Sequence, residues 1–258
     1  MLQKLIENGD DFQSRIMVAV MVAVRELSIS NQYADEETSS NYGYLSGYEV
    51  QPVAEQVEVL KSLFPNLGTA DIERGNVPVP AGAEGWFAIP RWQSIAPTYG
   101  EAVERVLALI AKARNGKFHN FRKGRLGPQY LCQLAKTERE FAKLGDEQTG
   151  HDILVVPAQF GIRHRGRSVR RAREVMNSTE FGLGAFAIGM MLLTHPERLQ
   201  HYDDLWIDCA GDEYDPDADG DFSRAPYFSF SGGGVEFAAN WFDNANEDYG
   251  SALAFLSQ

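Results

Sequence analysis

The sequence predicts an α+β protein: a mixed sheet of about five or six strands with packed helices, preceded by a mainly helical N-terminal segment. Three observations predict it. Apolar residues recur at helical spacing in several windows, and short β-branched or aromatic runs lie between those windows. Gly and Pro punctuate the joins, and no internal repeat occurs. With 258 residues, 44% of them hydrophobic and 23% charged, the composition excludes collagen-like, low-complexity and wholly disordered chains.

In chain order, Phe12, Ile16, Val20, Val24 and Leu27 mark a first helix. Met17, Val18, Met21 and Val22 make it apolar nearly all round, as in a helix buried between layers or against another subunit. Ser28–Gln51 is a long polar connection. Pro52 then opens a helix with Val53, Val57, Leu60 and Phe64 inward. Asn66–Gly85, rich in Gly and Pro, is the best internal boundary. It divides a helical segment, 1–68, from an α+β domain, 69–258, unless the two form one continuous domain.

Trp86–Trp92 reads as a strand, and Thr98 with Glu101 has capping-box spacing ahead of a helix carrying Val103, Val106, Leu107 and Ile110. Lys117–Arg122 alternates weakly, and Pro128–Leu144 reads as helix. Asp152–Val156 has the β-branched run of a central strand, which Pro157 is expected to end. Ser168–Met176 and Phe181–Leu193 read as helices, the second carrying glycines for close packing. Thr194 and Glu197 repeat the capping-box spacing. Leu205–Cys209 is a further strand, and Tyr227–Phe230 with Val235–Ala239 predicts a hairpin across Ser231–Gly234.

The longest apolar stretches, Ile16–Val24 and Leu183–Leu193, fall short of the roughly 20 residues a spanning helix needs, and no secretory leader is visible. Cys132 and Cys209 are too few and too distant in sequence for a disulfide framework or a paired-cysteine zinc site. A cytoplasmic protein without a membrane partner is therefore expected.

Charge is unevenly placed. Residues 1–100 sum to −7, residues 101–202 to +7, and residues 203–258 to −12, for a net −12. Such asymmetry points to a charged partner or to internal neutralisation between middle and tail.

Gly161–Arg173, GIRHRGRSVRRAR, holds six arginines and no acid between a predicted strand and a predicted helix. Backbone amides at Gly161 and Gly166, the Ser168 cap and the helix start suit an anion. Arg163, Arg165, Arg167, Arg170 and Arg171 add charge-assisted donors for phosphate. The spelling approaches a P-loop, but Arg167 stands where lysine belongs, and Pro157–Phe160 separates strand from loop. A nucleotide-hydrolysing P-loop is not expected; general phosphate binding is.

A second basic stretch joins Lys112, Arg114, Lys117, Arg122, Lys123 and Arg125 to Phe118, His119 and Phe121, with no acid between 105 and 137. Aromatics among cations suit a single strand if exposed, and a strand core if not. In the acidic tail, Asp215, Asp217, Asp219 and Asp221 begin like a calcium loop, but Pro226 stands where a bidentate glutamate belongs. A non-EF calcium or magnesium site, or a solvated acidic turn, follows.

No G-x-S-x-G elbow or H-E-x-x-H helix occurs, and His195-Pro-Glu197 lacks the P-C-x-x-C of a zinc deaminase. The carboxylates around Cys209 argue against a nucleophilic thiol. His164, between two arginines, is the one histidine of functional interest, unless it simply lies at the surface. No catalytic residue is assigned. The leading expectation is recognition of nucleic acid or a nucleotide through 161–173. The alternatives are a protein-interaction or inhibitor module presenting the acidic C-terminal surface, and a metal-dependent phosphoester hydrolase built on Asp208 and the 212–221 carboxylates.

Overall fold

The computed structural model describes residues 30–256, so the helix expected over Phe12–Leu27 lies outside the described residues. Among those described, five helices occur: α1 (Val53–Leu63), α2 (Tyr99–Ala113), α3 (Ala135–Glu147), α4 (Val169–Val175) and α5 (Ala185–Thr194). The strands are β1 (Gly85–Pro90), β2 (Phe118–Asn120), β3 (Leu131–Gln133), β4 (Ile153–Gln159) and β5 (Glu180–Gly182), followed by β6 (Ile207–Asp208), β7 (Asp212–Tyr214), β8 (Arg224–Ser231), β9 (Gly234–Trp241) and β10 (Leu253–Phe255). The α+β class is as expected. Its six-stranded sheet is mixed, in the order β2-β9-β8-β7-β3 with β6 also on β8, and β2 runs parallel to β9. A second, antiparallel sheet accompanies it, in the order β1-β4-β10-β5.

Each helix start has a local cause. Pro52 precedes α1, and Val53, Val57 and Leu60 are buried. Thr98 caps α2, its hydroxyl accepting from the Glu101 amide, and Val103, Val106, Leu107 and Ile110 turn inward. Thr98→Ala is expected to cost about 1 kcal/mol, read as a lower urea midpoint at unchanged slope. All ten residues of α5 are buried. It packs against α1, α2 and β1, with Gly189 so close to α2 that a Cβ there would meet Val106 at 2.4 Å.

Pro157 does not end β4. The Ala158 carbonyl accepts from the Glu84 amide on the β1 side, so the flanking Pro157 faces the other side. There β10 pairs only Ala158 and Gln159, and the missing N–H of proline has no ladder bond to break. Farther along that side the Gln148 side chain bonds both the Val155 amide and carbonyl. Gln56 does the same on the outer edge of β1, at the Trp86 carbonyl and the Ala88 amide. Two buried glutamines thus complete ladders where no strand pairs.

Two helices begin later than expected. Residues 131–133 of the 128–144 window form β3 against β7, with Leu131 opposite Tyr214, and α3 starts only at Ala135. Residues 180–182 form β5 against β10, and α5 starts at Ala185. The second capping box is not used: a 3-10 turn follows at Pro196–Arg198, with His195 at its start and no side-chain cap. The hairpin is as expected, β8 and β9 meeting at Gly232 and Gly233, whose φ values of 58° and 82° match a type I′ turn.

Candidate functional site

The Gly/Arg loop lies between β4 and α4, folded under the polar segment that precedes α1. Glu37 bridges Arg167 in antiparallel fashion, the Thr38 amide bonds the Gly166 carbonyl at 2.7 Å, and Arg165 bridges Gly250. The glycines serve this crossing. Gly166 has φ 76°, and a Cβ on it would meet the Thr38 carbonyl oxygen at 2.2 Å. Gly161 has φ 128°, and a Cβ there would meet the Gly250 oxygen at 2.6 Å. Both glycines thus admit neighbouring chain on the side a Cβ would occupy.

The arginines have partners within the protein. Arg170 pairs with Glu36, and its guanidinium lies 4.1 Å from the Tyr33 ring centre. Arg171, 4% exposed, bonds Glu37 and the carbonyls of Ser30 and Gln32. Arg167 reaches Glu37 at 3.3 Å and His164 Nδ1 at 3.0 Å. Arg163 meets the buried Glu180 at 2.7 Å, and Arg165 donates to the Tyr42 carbonyl at 2.8 Å. The Ser168 hydroxyl donates to Glu36 at 2.6 Å and accepts from the Arg171 amide. Burial pushes the Glu36 and Glu37 carboxyls up, but their bonds to Arg170, Ser168, Arg171 and Arg167 outweigh it and hold both below the usual range. Arg167, Arg170 and Arg171 therefore face Glu36 and Glu37 of the 30–51 segment. Of the loop's arginines only Arg173 meets the Asp212–Asp221 stretch, through the Asp212 carbonyl and Glu213, with a further bond to the Ala210 carbonyl. The acidic triplet Asp35-Glu36-Glu37 was the sequence signal for this, and sequence reasoning passed over it.

His164 is buried rather than at the surface, because the loop closes over it. Burial, with Arg167 and Arg163 beside it, pushes its pKa down to about 3. Asp215 accepts from the amides of Asp217, Ala218 and Gly220, so backbone donors take its oxygens. Burial raises its pKa, yet these bonds prevail and the net shift is downward. Among the described residues no three His, Cys, Asp or Glu side chains converge on a point that could hold a metal ion. Asp215, Asp217, Asp219 and Asp221, expected as a calcium or magnesium set, lie along one turn whose backbone amides bond Asp215. Asp208 and Asp212 lie apart from that turn, fully buried, and burial pushes each up to about 7. Asp212 accepts from Tyr99 at 2.8 Å and from the Ala185 amide at the start of α5. Cys209 is likewise buried, and burial with Asp212 and Asp208 nearby raises its thiol.

The second basic stretch is arranged differently. It runs from the end of α2 through β2, the strand at the edge of the six-stranded sheet. Phe118 packs against the core, whereas Phe121 is 51% exposed, with its ring 4.1 Å from that of the exposed His119. Lys112, Lys117, Lys123 and Arg125 are exposed, and among the described residues none lies within ion-pair distance of a carboxylate. Arg122 lies over the Tyr214 ring, and Arg114 bonds the Pro196 carbonyl. Glu236, opposite His119 in register, is the acid on this side. Between residues 116–121 and the glycine hairpin tip lies an open groove of about 490 Å³.

No helix among the described residues is long and apolar enough to cross a membrane. Compared with models of protein families, with curated proteins and with solved structures, the chain matches none of them.

Proposed function

We propose that the protein binds single-stranded nucleic acid, in the cytoplasm, along the β2 edge. The observation that carries this reading is the contrast between the two basic clusters. The arginines of 161–173 have partners within the protein, whereas Lys117, Lys123 and Arg125 stand exposed around an exposed Phe121. Their geometry suits a flexible polyanion: a base stacks on Phe121 while neighbouring phosphates meet the cations. The open groove beside the hairpin leaves room for a second nucleotide. Base readout is not expected, since the exposed cations suit phosphates and phosphate contacts carry no sequence information. Two free thiols suit a reducing compartment.

With a net charge of −12, long-range attraction is absent, so binding should be weak and strongly salt-dependent. Anisotropy of a labelled oligo-dT and an oligo-U, titrated at several salt concentrations, tests the proposal. Lys123→Ala with Arg125→Ala should flatten the salt slope by roughly 0.7 for each phosphate left unneutralised. Phe121→Ala should weaken binding by about 1–3 kcal/mol without changing that slope. Failure of both oligonucleotides to bind at low salt, or a slope untouched by the double variant, would refute it.

A further inference from the structure

Away from the basic edge, a cleft of about 150 Å³ opens between β1, β4, α3 and the first turn of α5. Its floor is apolar and buried: Ile89, Leu154, Phe186 and Ala187 are each at most 4% exposed. Trp92 and Phe141 form the sides, half-buried. Each is braced from behind by an edge-on aromatic neighbour, Tyr99 at 6.0 Å and Phe181 at 5.3 Å between ring centres. Both side walls are therefore held in place before anything enters. The rim is polar, with the Gln93 and Gln133 side chains and the Glu138 carboxylate.

The volume sets the size of an occupant. An apolar cavity of about this volume holds one six-membered aromatic ring. The rim sets its chemistry. Two amides can donate and accept, and Glu138 can only accept while ionised. Arg91 is the cation in the wall, and its donors go to the carbonyls of His151, Gly145 and Gln148. A carboxylate or phosphate on the occupant would thus meet Glu138 without a free cation to offset it. A neutral edge carrying N–H donors would be matched.

We propose that this cleft binds a single six-membered aromatic or heteroaromatic ring bearing a neutral amide or amino edge. The floor and the braced side walls take the ring, and Gln133 and Glu138 read its edge. Pyrimidine bases and aromatic carboxamides share this chemistry. The site is separate from the β2 edge and does not depend on its function.

Ligand-observed NMR titrations of the full chain with benzamide, cytosine, toluene and benzoate test it. Benzamide or cytosine should saturate, with a dissociation constant on the order of 1 mM for so small a ligand. Saturation by only one of them identifies the source of the ring. Benzoate should bind at least tenfold more weakly. Glu138→Gln and Gln133→Ala should each weaken the binding several-fold. Ala142→Trp, on the exposed lip of the cleft, should abolish it in a protein whose melting temperature is kept. Binding that survives Ala142→Trp would put the ligand elsewhere and overturn the proposal. So would the absence of saturation by either benzamide or cytosine up to about tenfold that constant. Toluene binding as tightly as benzamide, with no response to Glu138→Gln or Gln133→Ala, would overturn the polar-edge reading.

Discussion

Arg171→Ala is expected to lower folding stability by about 2–3 kcal/mol. Breaking a fully buried pair costs about 3–5 kcal/mol, because the remaining charge is stranded. Here the charge left behind is Glu37, 31% exposed and still in contact with Arg167, so that figure is discounted. Against the discount, the carbonyls of Ser30 and Gln32 also lose their donor. Arg165→Ala is the control. It is exposed, makes one bond to the Tyr42 carbonyl, and should change stability by no more than about 0.5 kcal/mol. Urea unfolding of both variants, with Glu37→Ala and the Arg171→Ala/Glu37→Ala double variant, closes the cycle. The two losses should overlap by about 1 kcal/mol or more. A loss under about 1 kcal/mol for Arg171→Ala would mean the guanidinium is not anchoring the 30–51 segment.

That pairing marks the limit of what the sequence made legible. Elements with local causes could be read: Thr98 as a cap, Pro52 before α1, the glycine turn between β8 and β9. Elements created by distant partners could not. Residues 180–182 look like the start of an apolar helix, and they become a strand only because β10, some seventy residues later, lies beside them. Pro157 looks like a strand terminator, and it is harmless because β10 stops at Ala158. The candidate site follows the same division. The clustering of cations in 112–125 and 161–173 is visible in the sequence, but which cluster is neutralised depends on where Glu36 and Glu37 land. In the sequence Phe118 and Phe121 read alike, as exposed aromatics or as strand core, although positions three apart on a strand lie on opposite faces.

Asp208→Asn is expected to stabilise the fold above neutral pH and to leave it nearly unchanged near pH 4. Burial raises Asp208 from an ordinary 3.8 to about 7, with Asp248 adding to the shift and Arg173 opposing it. A carboxyl raised in the folded state contributes stability that is present below its unfolded pKa and lost as pH rises through the folded one. Asp212, also raised to about 7 by burial, loses stability across the same interval. His164 and His195 act in the opposite sense. Burial lowers them from 6.5 to about 3 and about 4, so their contribution is present above pH 6.5 and lost on acidification. His195 is held neutral by its contacts: Nε2 accepts from the Gln51 amide, and Nδ1 lies 2.9 Å from the Thr194 hydroxyl. Asp208 and Asp212, joined by Glu84 and Asp248, which burial also raises, thus oppose the two histidines between about pH 4 and 7. Removing one acid unmasks the histidines. Asp208→Asn should gain about 2 kcal/mol at pH 8, roughly half of what a shift of about three units would give if fully realised. Its stability should then rise more steeply, or fall less, from pH 4 to 7 than that of the native protein. Chemical unfolding at four pH values measures the difference, and parallel profiles for the two proteins would show that Asp208 does not titrate abnormally in the fold.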